Sequence, residues 1–247
     1  MCSPWELGSG RIVSGVLPHS KLIASAARDV FRPLGLVQRG RSRTWVDDRA
    51  WWLAVVEFQP SSWSRGSYLN VGVSWLWNAK EYLSFDYGHR VMDIGGEGQY
   101  VEYQSDEQFR PLALKLAEAA ASEVQGYCAQ FPDVATAAAV LAGADDRGRH
   151  GRGGLVGTTD LLRWLDAGIA LGVAGQTAAA QAAFDRYLHW HAAQADVERL
   201  GYEVARYDRA RELRELVPNT EAFGAQIHSD VEEGRAMLKL EAAELPF

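Results

Sequence analysis

The sequence predicts an α+β fold, with an N-terminal helix packed on an antiparallel meander sheet and a helical bundle after it. Two observations carry that prediction. Residues 1–103 hold seven of the nine tryptophans (Trp5, Trp45, Trp51, Trp52, Trp63, Trp75 and Trp77) together with β-branched runs, whereas residues 104–247 are rich in Ala, Leu and Glu. Aromatic and β-branched side chains pack well on a pleated surface, and Ala, Leu and Glu lose little rotamer freedom in a helix. Charge divides at the same place. The first part has 11 basic and 10 acidic residues (net +1), the second 14 and 22 (net −8).

Taken in order, Ser20 caps a helix over 21–34, with Leu22, Ile23, Ala26, Val30 and Phe31 as its apolar stripe and Pro33-Leu34-Gly35 as its stop. Three strands follow. Residues 43–46 lead into an Asp47-Asp48-Arg49 turn, 51–59 run back, and 68–77 return after a longer loop at 60–66. Alternation puts Trp52, Ala54, Val56 and Phe58 on one face and Trp51, Leu53, Val55, Glu57 and Gln59 on the other. One face is expected on helix 21–34, and the other is mixed, with Glu57, Gln59 or Asn70 near its edge. A fourth strand over 99–103 follows the Gly95-Gly96-Glu97-Gly98 turn.

From Ser105 the apolar period becomes helical, with Leu112, Leu116, Ala119 and Val124 inward over 105–127, and Asp133 caps a short helix ending at Gly143. Residues 144–157, rich in Gly and Arg, read as a linker between a domain at 1–143 and a helical domain at 158–247. Helices are expected at 159–173, 177–194, 196–216 and 219–241, with Gly175 between the first two, Pro218 ending the third, and Asn219 or Thr220 capping the last.

Composition narrows the function classes. The chain has 247 residues, 47% of them hydrophobic and 23% charged, and its mean hydropathy is −0.20. That is globular composition, which excludes a disordered or collagen-like chain. A net charge of −7 draws the molecule as a whole to no phosphate backbone. The first residues lack a signal-peptide pattern and no run of about 18 apolar residues occurs, so a cytoplasmic location without membrane contact is expected. Cys2 and Cys128 make neither a disulfide framework nor a zinc site by themselves.

No catalytic residue, metal site or cofactor is expected. Asp185 and His189 share a helical face, but His191 lies about 200° round the helix from His189 at ~100° per residue. His228 and Glu232 are a four-residue helical pair. The glycine runs at 8–15 and 148–157 lack a preceding strand or a Lys-Ser/Thr ending, and no nucleophile elbow occurs. Arg39, Arg41 and Arg43, spaced by two, share a face if extended. With Arg28 and Arg32 they would form a basic patch for a carboxylate or phosphate, or else they blunt an edge strand. Arg147, Arg149 and Arg152 among glycines read as an RNA-binding segment or as a flexible linker. Most of the tryptophans are expected in the core, and any left exposed, with Trp63 in its loop, would mark a binding surface.

Within residues 18–143 the order is helix, Gly35-Leu36, a basic run, Arg43-Thr44-Trp45, a strand ending Phe58-Gln59, and Asn70-Val71-Gly72. This resembles the bacterial uncharacterised-domain family 4304, a domain of unknown function. The resemblance implies a small α+β domain with no established catalytic residues and a toxin-immunity-like role. Trp164, Gly168, Leu171, Ala180 and Phe184 are similar in spacing to one tetratricopeptide helical pair over 159–194, which implies a packed helical hairpin.

The resulting expectation is a non-enzymatic bacterial interaction protein of immunity or defence type, binding a partner protein through its sheet or its acidic helical surface. Arg41, Arg43, Trp45, Glu57, Gln59, Trp63 and Asn70 are its candidate binding residues. The alternative is an enzyme or small-molecule-binding protein with a site between sheet and helical half, lined by Glu57, Gln59, Asn70 and Arg43. Nucleic acid is the least favoured partner.

Overall fold

The computed structural model describes residues 18–143, 160–193 and 201–247. The expected linker, Trp5 and Arg147, Arg149 and Arg152 lie outside them. The fold is α+β. Helix α1 (Pro18–Phe31) and a single 3₁₀ turn (Arg32–Leu34) precede six strands: β1 (Val37–Gln38), β2 (Thr44–Asp48), β3 (Trp52–Pro60), β4 (Gly66–Trp75), β5 (Tyr87–Arg90) and β6 (Tyr100–Glu102). Helices α2 (Asp106–Gln130), α3 (Val134–Gly143), α4 (Asp160–Val173), α5 (Thr177–Ala193), α6 (Gly201–Leu216) and α7 (Thr220–Met237) follow.

All strand pairs are antiparallel, in the order β1-β2-β3-β4. Two short strands share the far edge of β4. β6 pairs with Gly66–Tyr68, and β5 with Asn70–Val73. Strands β1 and β5 were not expected, because neither two residues nor the stretch Tyr87-Gly88-His89-Arg90 carries an alternating apolar pattern. They form because a neighbouring strand already offers unpaired backbone groups.

The chain's alternation decides what each sheet face meets. Trp45, Trp52, Val56, Phe58, Leu69, Val71, Val73 and Trp75 share the inner face. Phe31 of α1 packs there against Trp45 (ring centroids 5.3 Å apart) and Phe58 (6.0 Å). Phe131, just beyond α2, packs edge-on against Trp52, Trp75 and Tyr87. Two helices therefore cover this face, not α1 alone. Trp51, Trp75 and Trp77 stack with centroids 5.0–5.5 Å apart. Trp45, Trp51, Trp52, Trp75 and Trp77 are each at most 3% exposed.

Local signals set the helix starts. Ser105 Oγ accepts from Gln108 N at 3.2 Å, and Gln108 Oε1 reaches back to Gln104 N at 3.2 Å, a reciprocal cap shifted by one residue. Asp133 Oδ1 accepts from Thr136 N (2.7 Å) at the start of α3, and Asn219 Oδ1 from Ala222 N (3.1 Å) at the start of α7. The later helices pack closely where glycine leaves room. A Cβ on Gly168 would stand 2.9 Å from the Phe184 ring, and one on Gly172 would stand 2.5 Å from Phe223.

The buried apolar residues run without a break from Ile23 through the sheet to Leu238. Two polar seams cross from sheet to helices. Arg235 of α7, 4% exposed, forms a two-pronged pair with Asp48 (2.9 and 2.8 Å) and donates to Ala50 O (2.6 Å). Asp166 of α4 accepts from Trp77 Nε1 (3.0 Å) and Asn78 Nδ2 (2.9 Å). Among the described residues no helix is long and apolar enough to cross a membrane.

Candidate functional site: a polar and aromatic surface on the outer sheet face

The outer face of β3, β4 and β5 carries a connected set of side chains near the β3–β4 loop. Register puts Glu57 opposite Asn70, Gln59 opposite Tyr68, and Arg90 opposite Asn70. Directly opposed residues of an antiparallel pair point to the same face, so these five side chains gather on one patch. Asn70, 2% exposed, is the hub. Its Nδ2 donates to Glu57 Oε2 (2.9 Å) and Gln59 Oε1 (3.0 Å). Its Oδ1 accepts from Arg90 Nε (3.2 Å), while Arg90 Nη2 donates to Gln59 Oε1 (2.6 Å).

Aromatic rings flank this network. The Arg90 guanidinium lies 4.3 Å over the Tyr68 ring, and Tyr68 meets Tyr100 of β6 at 4.8 Å between centroids. Tyr100 Oη in turn accepts from Ser64 Oγ at 2.7 Å, which ties the loop to the patch. At the loop tip Trp63 is 94% exposed. The hydrogen bonds hold Arg90 and Glu57 in one geometry, so the patch keeps little side-chain freedom. An exposed indole beside a rigid mixed-polarity surface is the composition of an interface anchor.

Of the expected binding residues, Glu57, Gln59 and Asn70 meet directly and Trp63 stands at the adjoining tip. Arg43 does not join them. It lies at the level of Phe58, whose N–H donates to Arg43 O (3.1 Å), on the inner side, and its guanidinium donates to Ser20 Oγ. Trp45 packs against Phe31 and is 3% exposed, which removes it from the surface set. Arg41 is exposed in the turn between β1 and β2. Arg39, Arg41 and Arg43 do not form one basic stripe, because Gly40 (φ +58°) turns the chain between them and Arg39 Nη2 donates to Leu238 O at 2.6 Å.

Tyr68, Arg90 and Tyr100 are the members that sequence reading missed. Tyr68 was legible, since it alternates in step with Asn70 on the same strand. Arg90 and Tyr100 become neighbours only through the pairing of β5 and β6 with β4, which no local pattern encodes.

Three other features lie apart from this patch. An open cleft of about 390 Å³ lies between the β1–β2 edge and the chain after α7, with Val37, Arg39, Asp47, Lys239 and Glu241 in its lining. It sits between sheet and helical half, but none of Glu57, Gln59, Asn70 or Arg43 lines it. His89 links Tyr127 Oη (3.1 Å) and Glu123 (3.6 Å) between β5 and α2, and burial pushes the Tyr127 phenol well above its ordinary range. Cys128 Sγ faces Asp47 Oδ2 at 3.7 Å, and burial first, then the Asp47 carboxylate, pushes this thiol up against the pull of Arg49. Both arrangements hold α2 to the sheet.

In the helical part Asp185 pairs with Arg214 (2.8 Å) and His228 with Glu232 (3.7 Å). Among the described residues no three His, Cys, Asp or Glu side chains gather as a metal set. Comparison with family models, curated proteins and solved structures finds no match to this chain.

Proposed function

We propose that this chain is a non-enzymatic interaction protein that binds a partner protein through the outer sheet face at Glu57, Gln59, Tyr68, Asn70, Arg90 and Trp63. The observation that carries the reading is Trp63, 94% exposed beside a pre-ordered polar network. A large indole left in water costs solvation that a partner's surface would recover. The resemblance to family 4304 adds an immunity- or defence-type role in a bacterial cytoplasm, and the net −8 of residues 104–247 would steer a basic partner toward the molecule.

The test uses the full chain and its Trp63→Ala and Arg90→Ala variants as bait in nuclease-treated host extract at moderate salt. One stoichiometric protein is expected on the wild type and is retained about tenfold less or weaker by each variant, the loss typical of an interface anchor. Equal retention by all three baits would move the interface elsewhere. Loss on nuclease treatment would replace the protein partner with nucleic acid.

A second reading, a small-molecule site between sheet and helical half, draws on the 390 Å³ cleft beside Lys239–Glu241. Its volume falls within the range of ligand pockets. A ligand that raises the melting temperature and shifts the signals of Val37 and Leu240 would favour it over the sheet-face reading.

A further inference from the structure

Two buried side-chain nitrogens at the first turn of α1 have no hydrogen-bond partner in the protein, one on His19 and one on Arg43. His19 is 1% exposed and its Nδ1 has no hydrogen-bond partner. Arg43 reaches it from the segment before β2. One guanidinium nitrogen donates to Ser20 Oγ, while Nη1 is buried with no acceptor. Arg65 arrives from the β3–β4 loop, where its carbonyl accepts from Tyr103 N at 2.8 Å, and the Tyr103 ring lies 5.6 Å from that of His19. Burial, then the charges of Arg43 and Arg65, holds the His19 imidazole below its ordinary range, so all three groups act on one small region.

The charge balance there is one-sided. Burial is the only influence on Arg43, with no carboxylate acting on it among the described residues. Asp106, at the start of α2, is engaged by Tyr103 Oη at 2.6 Å. The first turn of α1 has no acidic residue, and the N–H groups of His19 and Ser20, after Pro18, add the positive end of the helix dipole. A guanidinium cannot shed its proton to escape burial, so an unpaired one calls for an anion.

We propose that His19, Ser20, Arg43, Arg65 and the first-turn N–H groups of α1 form an oxyanion site for a phosphate group. Donors converging from three chain segments suit a tetrahedral anion with several acceptor oxygens better than a planar carboxylate with two. Arg65 is exposed and marks the solvent side of the cluster. The site lies on the helix-covered side of the sheet and does not depend on the partner surface.

Calorimetric titration of the full chain with inorganic phosphate at fixed ionic strength tests it, with phenyl phosphate and acetate as companion probes. One-to-one binding is expected, weakened about tenfold or more by Arg65→Gln and by Arg43→Gln, as for loss of a charge-assisted bond. Arg211→Gln, an exposed change on α6, should leave it unchanged. Because Arg65 is exposed, its variant remains decisive even if Arg43→Gln fails to fold. Tighter binding of phenyl phosphate supports a phosphorylated small molecule as the natural ligand, and equal binding supports free phosphate. Acetate binding as tightly as phosphate, or equal affinity in all variants, overturns the proposal and leaves an adventitious ion only.

Discussion

The two polar seams that join helices to sheet are opposite solutions to one problem. At the Arg235 seam a buried cation meets a carboxylate in a two-pronged geometry, and backbone oxygens of Ala50 and Glu241 take its remaining donors. At the Asp166 seam a buried carboxylate receives two neutral N–H donors, from Trp77 and Asn78. Lys80, whose charge acts on Asp166, is committed to Asp86 at 2.7 Å. Burial first, then the Asp86 charge, pushes Asp166 up to about 7, against the pull of its two donors and Lys80. A compensated charge ties the halves together at every pH in the neutral range. An uncompensated one ties them through a bond whose cost depends on its own proton.

The largest expected effect is at the compensated seam. Arg235→Ala should lower unfolding free energy by about 3 kcal/mol, the scale for breaking a buried pair and stranding its acceptors. Denaturant titration at pH 7 measures it, and a loss under roughly 1 kcal/mol would show that the seam is an ornament of packing.

The next effect separates the two seams by pH. Asp166 titrates near 3.8 when unfolded and near 7 when folded. The folded state therefore holds the proton more tightly, and wild-type stability should fall as pH rises from about 4 to about 7. Asp166→Asn keeps an acceptor for Trp77 and Asn78 but has no charge to bury. Between pH 5 and pH 8 the variant should gain about 3 kcal/mol on the wild type, at ~1.4 kcal/mol per pKa unit. Parallel stability profiles for the two proteins would refute the assignment.

The smallest effect sharpens the same point. Asn78→Ala removes one donor to Asp166 Oδ1. Its cost should be roughly 1–2 kcal/mol at pH 8, where the acceptor is charged, and smaller at pH 5, where it is neutral. Chemical denaturation at the two pH values reads the difference directly, and an equal cost at both would mean that Asp166 keeps one charge state throughout.

Much of the architecture was legible. The period-2 runs at 51–59 and 68–77 became β3 and β4, and Ser105, Asp133 and Asn219 cap helices where their side chains can reach an orphan N–H. Glu57, Gln59 and Asn70 were readable as a group because all three sit at the outward positions of long, strongly alternating strands. The rest was not, for a common reason. Arg90, Tyr100, Asp166 and Arg235 acquire meaning from partners 20 to 187 residues away in sequence, or from the second strand edge of β4. The basic run at 39–43 makes no single stripe because the turn at Gly40 separates arginines that bond to different elements, Arg39 to Leu238 and Arg43 to Ser20.

By itself, the sequence determined the long strands β3 and β4 and the helices that follow, and which side of β3 and β4 turns inward. Those properties follow from local propensity and from the pleat's two-residue period, which act within a few residues. Only the tertiary structure decided that α2 joins α1 on the inner face and that Asn70 becomes the hub of a surface network. It alone left His19 Nδ1 and Arg43 Nη1 without hydrogen-bond partners, and it alone buried Asp166 within reach of the Asp86 charge. Burial and pairing of a charge depend on which distant segments surround it, and no local pattern carries that information.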